Sequence, residues 1–97
     1  MSVTVVLELQ AKPESSDELR ATLKAILPDT RAFEGCESIE VVGNQEDACN
    51  LIIYEKWTSR AQNEKYMQWR TETGALEKLG AMLAQAPSFR FYDLVDA

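Results

Sequence analysis

Residues 36–57 read CESIEVVGNQEDACNLIIYEKW. The stretch divides into a strand-like run, CESIEVVG, a polar turn, NQED, and a returning run, CNLIIYEKW. Two β-prone runs around a short polar turn predict a hairpin. Period-two alternation then sets Leu51, Ile53, Glu55 and Trp57 on one face of the returning strand, and Ile52, Tyr54 and Lys56 on the other. The strand leads directly to Ser59 and Gln62, a capping-box spacing that opens a helix over RAQNEKYMQWR.

The flanks complete the pattern. SVTVVLELQ puts Val3, Val5, Leu7 and Leu9 on one strand face and Thr4, Val6, Glu8 and Gln10 on the other, and Pro13 ends it. Ser15 and Glu18 also have capping-box spacing, and Leu19, Leu23, Ile26 and Leu27 make a single apolar helical stripe. Pro28 removes a donor and is expected to kink this helix. DTRAFEG adds one more turn before Gly35, a candidate left-handed stop. Gly74 predicts a break in the second helix. Leu76, Leu79, Met82 and Leu83 continue a helical stripe, Pro87 closes it, and SFRFYDLV is a last strand.

The order strand, helix, strand, strand, helix, strand is the split pattern of a ferredoxin-like α+β sandwich. It predicts one domain over residues 1–97, with a four-stranded antiparallel sheet covered by helices on one face. Val6, Ile52 and Tyr54 make the second face apolar as well. A domain of this size buries only about 60–65% of its unfolded surface, and a contiguous apolar patch usually marks an interface. A homodimer joined sheet to sheet is therefore expected.

Ten basic against sixteen acidic residues leave a net charge of −6. The cations are scattered, so a nucleic-acid backbone or an anionic membrane would meet net repulsion. The run VTVVLEL is too short to span a bilayer and lacks the basic flank of a leader. These features point to a cytoplasmic protein. Cys36 and Cys49 fall at opposite ends of the hairpin, roughly 20 Å apart at ~3.3 Å per residue, beyond disulfide reach. They suit small buried residues better than reactive thiols.

The chain has no histidine. That excludes a Ser-His-Asp triad, a Cys-His pair and a histidine metal site. No glycine-rich phosphate loop, calcium-loop spacing, flavin, nicotinamide or heme motif is present. Neither a metal nor another cofactor is expected. The chemistry that remains lies on the second helix. Asn63, Tyr66, Met67 and Arg70 recur at helical spacing, and Gln62, Tyr66 and Trp69 form a neighbouring stripe. Turned inward, they would meet Trp57, Ile53, Val5 and Leu7 across an apolar slot with a few polar tips. The bland alternative is core packing for Trp57 and Trp69 and a surface charge for Arg70.

TRAFEGC, closing the first helix, and a hairpin ending YEKWTS that runs straight into a helix resemble the antibiotic biosynthesis monooxygenase family, of the dimeric α+β barrel superfamily. The resemblance extends from Val3 to about Val95. It implies a ferredoxin-like homodimer joined through its sheets. It also implies a monooxygenase that oxidises a phenol, quinol or polyketide-like small molecule with molecular oxygen and no cofactor. Trp57 matches a pocket tryptophan of the aromatic polyketide oxygenases. Asn63 falls where those proteins carry a pocket tyrosine. Tyr66 falls at a position that is often histidine in quinol oxidisers and tryptophan in heme degraders. The heme degraders' first-strand asparagine and iron-binding histidine fall near Leu7 and Leu76 here, so heme binding in that style is not expected. On this reading Trp57, Asn63 and Tyr66 are the catalytic donors, and Val5, Leu7, Ile53, Met67, Trp69 and Arg70 bind substrate. The alternatives are a non-catalytic binding module, or an isomerase of a small phosphorylated carbonyl compound that would clamp phosphate with Arg70, Arg31 or Arg90.

Overall fold

The computed structural model describes residues 2–97. Its elements run β1 (Val3–Gln10), α1 (Ser16–Ala32), β2 (Cys36–Asn44), β3 (Asp47–Trp57), α2 (Arg60–Glu72), α3 (Ala75–Gly80) and β4 (Ser88–Tyr92). One antiparallel sheet has the order β2-β3-β1-β4. This is the ferredoxin-like α+β fold. β2 and β3 form the hairpin, with the turn confined to Gln45 and Glu46. Cys36 and Cys49 are free thiols at its two ends.

The register explains which side chains go inside. Val5 pairs with Glu55 and Phe91, and Leu7 with Ile53 and Phe89. On β2, Ile39 and Val41 oppose Glu55 and Ile53. Alternation therefore turns all these residues toward the helices. Leu9, Leu51, Ile53 and Ile39 pack there with Leu19, Leu23 and Leu27 of α1. A second cluster gathers Val3, Val5, Trp57 and Tyr66 around the half-buried Phe33, Phe89 and Phe91.

Local signals were met unevenly. Ser59 is extended (φ −157°, ψ 161°), and its Oγ accepts from the Gln62 N–H at 3.2 Å, capping α2. Ser15 makes no such bond. A 3-10 turn over Pro13–Ser15 already carries the chain into helical geometry, leaving Ser15 at φ −110°, ψ 0° rather than extended. Its neighbour Ser16 instead donates to the Ala48 carbonyl at 2.9 Å. α1 is one continuous helix across Pro28. Gly35 follows it with φ 95°, and a Cβ there would lie 2.6 Å from Gln62 Cβ, so both backbone angle and space demand glycine.

Gly74, at φ 78°, separates α2 from α3. The helical stripe expected through Leu83 stops at Gly80. Met82 and Leu83 are still buried, because Leu83 bridges to Ala11 and Met82 accepts from the Lys12 N–H. β4 is shorter than the run to Val95 suggested. Tyr92 already pairs with Thr4, so residues beyond it would face the start of the chain. Leu94 and Val95 are exposed. No helix of the described residues is long and apolar enough to cross a membrane.

Candidate active site

The inner face of the sheet carries one charge among apolar neighbours. Glu55 is placed there by the same alternation that buries Ile53 and Trp57, and only 4% of it is exposed. Its Oε1 accepts a hydrogen bond from Trp57 Nε1 at 2.8 Å. Burial disfavours the charged carboxylate and pushes its pKa up to about 7, with the Trp57 hydrogen bond pulling weakly the other way. A group poised there can exchange a proton near neutral pH.

α1 and α2 supply a second polar cluster. Tyr66 sits one turn before Arg70 on α2, facing Thr30 near the end of α1. The Tyr66 hydroxyl lies 2.6 Å from Thr30 Oγ1, and Arg70 Nε donates to it at 2.8 Å. Arg70 Nη2 donates to Thr30 Oγ1 at 2.9 Å and to the Ile26 carbonyl at 2.8 Å. The Arg70 guanidinium also lies 4.6 Å from the Trp69 ring centre. Arg70 is therefore buried at 5% exposure, not the surface charge its residue type suggested. All its bonded partners are neutral, and no carboxylate pairs with it among the described residues. A buried cation without a counter-ion is costly and predisposes its surroundings to an anion.

These two clusters share the walls of one partly open cavity of about 40 Å³. Leu7, Ile39, Ile53 and Glu55 form its sheet side, and Leu23, Ile26 and Leu27 of α1 close another. Tyr66, Met67 and Arg70 of α2 complete it with Leu76 and Leu79 of α3. Leu7, Ile26, Met67, Leu76 and Leu79 are half-buried, so solvent approaches the cavity past these side chains.

Of the residues singled out from the sequence, Leu7, Ile53, Tyr66, Met67 and Arg70 line the cavity. Val5, Trp57, Asn63 and Trp69 do not. Trp57 directs its N–H to Glu55 rather than toward the cavity. Its ring stacks beside Tyr66 at 5.0 Å between centres, and Tyr66 in turn lies 6.1 Å from Trp69. Val5 belongs to the same aromatic cluster. Asn63 is fully buried, one turn before Tyr66, and neither its Oδ1 nor its Nδ2 has a partner among the described residues. Orphaned buried amide atoms cost about 1–3 kcal/mol each.

Two members of the site escaped the sequence reading. Glu55 was placed on the inward face, and a lone carboxylate in that apolar alternation was the available signal. Thr30 carried none, because only the packing of α1 on α2 brings its hydroxyl to Tyr66 and Arg70. Arg31 and Arg90 do not join Arg70. Arg31 lines surface grooves beside β2, and Arg90 is exposed on β4.

The ferredoxin-like sheet with helices on one face defines a class of small α+β proteins. A sequence model of that class, described as antibiotic biosynthesis monooxygenase, matches residues 2–71, and the chain belongs to this family. It is 29% identical to a Mycobacterium tuberculosis protein named "Putative monooxygenase Rv0793", over 76% of this chain and 78% of that one. The solved structure of Rv0793 superposes with a TM-score of 0.88 at 22% identity, covering 100% of this chain and 98% of that one. A conserved protein from Methanosarcina mazei Go1 superposes at 0.87 with 22% identity, covering 95% and 91% of the two chains. The family supports a monooxygenase-like function acting on a small molecule.

Proposed function

We propose that the chain is a monooxygenase that oxidises a small acidic phenol, quinol or polyketide-like enol with molecular oxygen, without a cofactor. The observation that carries this reading is Glu55, a buried carboxyl raised to about 7 on the wall of an apolar cavity. Such a group is a fitting general base in a chain that lacks histidine. It takes the substrate's acidic proton and leaves an electron-rich anion. Trp57 holds the carboxyl in place through its N–H.

The anion needs a donor. Tyr66, held by Thr30 and Arg70, is the group we assign to the developing oxyanion. The anion passes an electron to dioxygen, and the resulting pair combines into a peroxide at carbon. Glu55 returns its proton to give a hydroperoxide. Loss of water from that carbon leaves one oxygen atom as a carbonyl and the other in water, so no external reductant is required. The ring enters from the α2–α3 side by parting Met67, Leu76 and Leu79. The active form is a homodimer joined through the open sheet face.

Oxygen uptake with anthrone-like and naphthohydroquinone substrates tests this. Glu55→Gln should lower kcat/KM by about 10²- to 10⁴-fold, and Tyr66→Phe by about 10²-fold. Unchanged rates in both variants, or no uptake by wild type with either substrate, would end the proposal. A second reading is a module that binds a metabolite at the same site without turnover. Ligand-induced thermal stabilisation with no oxygen consumption would select it. The isomerase reading lacks support, since the arginines that would clamp a phosphate do not converge.

A further inference from the structure

The cavity at Glu55 is too small for the whole of the molecule the proposed chemistry oxidises, which must part Met67, Leu76 and Leu79 to reach it. A leucine-lined void that takes one benzene ring in another protein measures about 150 Å³, whereas one water needs only about 10–15 Å³ of such space. At about 40 Å³ the void is sized for a diatomic gas. Nine of its twelve lining side chains are apolar, which disfavours water. The three polar ones, Glu55, Tyr66 and Arg70, have their principal bonds to protein groups. The space is therefore mostly apolar, preformed and adjacent to the base.

We infer that this void is a dioxygen compartment, with the substrate ring held against it on the α2–α3 side. The inference rests on the monooxygenase reading and adds the place of its second substrate. Arg70 gives the location a chemical reason. When the substrate anion, its proton left on Glu55, passes one electron to dioxygen, superoxide forms beside a buried guanidinium that has no carboxylate partner among the described residues. The new anion meets a cation already in position, in a medium where charges interact strongly. The substrate radical and superoxide then join in the carbon–oxygen bond.

Dissolved dioxygen is paramagnetic and speeds the relaxation of methyl protons that it approaches. Methyl-labelled wild-type protein under oxygen pressure should show the largest enhancement at Leu23, Ile53 and Leu79. Leu19 and Leu51 are as buried as Leu23 and Ile53 but lie outside the void, and they should show little. Leu79→Phe, on the short and half-buried α3, should abolish the enhancement at Leu23 and Ile53. In turnover it should raise the KM for oxygen several-fold, by more than any change in the organic KM. If that variant does not fold, Leu79→Ala should enlarge the enhancement instead. Arg70→Met should keep the relaxation pattern and lower the oxidation rate by on the order of 10²-fold. An unaltered rate would remove Arg70 from the inference. Enhancement spread evenly over buried methyls overturns the compartment, even if Glu55-dependent oxygen uptake is seen. Enhancement confined to the void upholds it, even if no substrate is oxidised and the monooxygenase reading falls.

Discussion

Glu55 shows how a single residue ties stability to chemistry. Its carboxyl titrates at 4.5 in the open chain and at about 7 in the fold. Between those values the native state holds a proton that the unfolded chain has released, so unfolding free energy falls as pH rises. The stability is fully present below about pH 4.5 and lost by passage through about pH 7, with a ceiling of about 3 kcal/mol. Denaturant titrations across that window should show this slope, and Glu55→Gln should flatten it and be the more stable protein at pH 8. Catalysis runs the opposite way. The base must be ionised, so kcat/KM should climb with pH and reach half its plateau near pH 7. A wild-type stability profile without that slope would remove the raised carboxyl and the base with it.

At the scale of elements, two serines with the same spacing signal behave differently, and the difference is measurable. Ser59→Ala removes a real cap from α2 and should cost about 1 kcal/mol. Ser15→Ala removes none and should be near neutral. Chemical denaturation of the pair decides it, and equal losses would contradict the capping geometry. The α1–β2 joint is stricter. Gly35→Ala faces both a left-handed backbone and the Gln62 side chain, and we expect a loss of about 1–3 kcal/mol. Because Gln62 begins the helix that carries Asn63 and Tyr66, that variant should also weaken activity. The spacing of Ser15 to Glu18 and of Ser59 to Gln62 was legible at the two helix starts. Whether the cap forms depends on the chain's entry angle, which Pro13 set at α1 in a way that residue types alone did not disclose.

Over the whole molecule, the sheet is covered on one side only. Tyr54, Val42 and Tyr92 are each more than two-fifths exposed on the other, beside the half-buried Val6 and Ile52. Apolar surface of that kind favours a second copy. The proposed dimer should appear as twice the chain mass in sedimentation equilibrium. Tyr54→Asp paired with Ile52→Asp should give a monomer of lower thermal stability. A wild-type monomer at tens of micromolar would refute the sheet-to-sheet dimer and leave the cavity argument intact.

The amino-acid order by itself determined the split β-α-β-β-α-β arrangement and the inward faces of β1 and β3, and it placed Tyr66 and Arg70 on one helix face without saying where that face turns. Each follows from a local period, two for strands and 3.6 for helices, acting on neighbours in the chain. Tertiary structure alone decided that Trp57 serves Glu55, that Thr30 and Arg70 hold Tyr66, and that a void remains between them. The contacts to Thr30 join residues up to 40 positions apart. Burial changes the proton affinity of a carboxyl, and local periodicity carries no record of how completely water will be excluded around it.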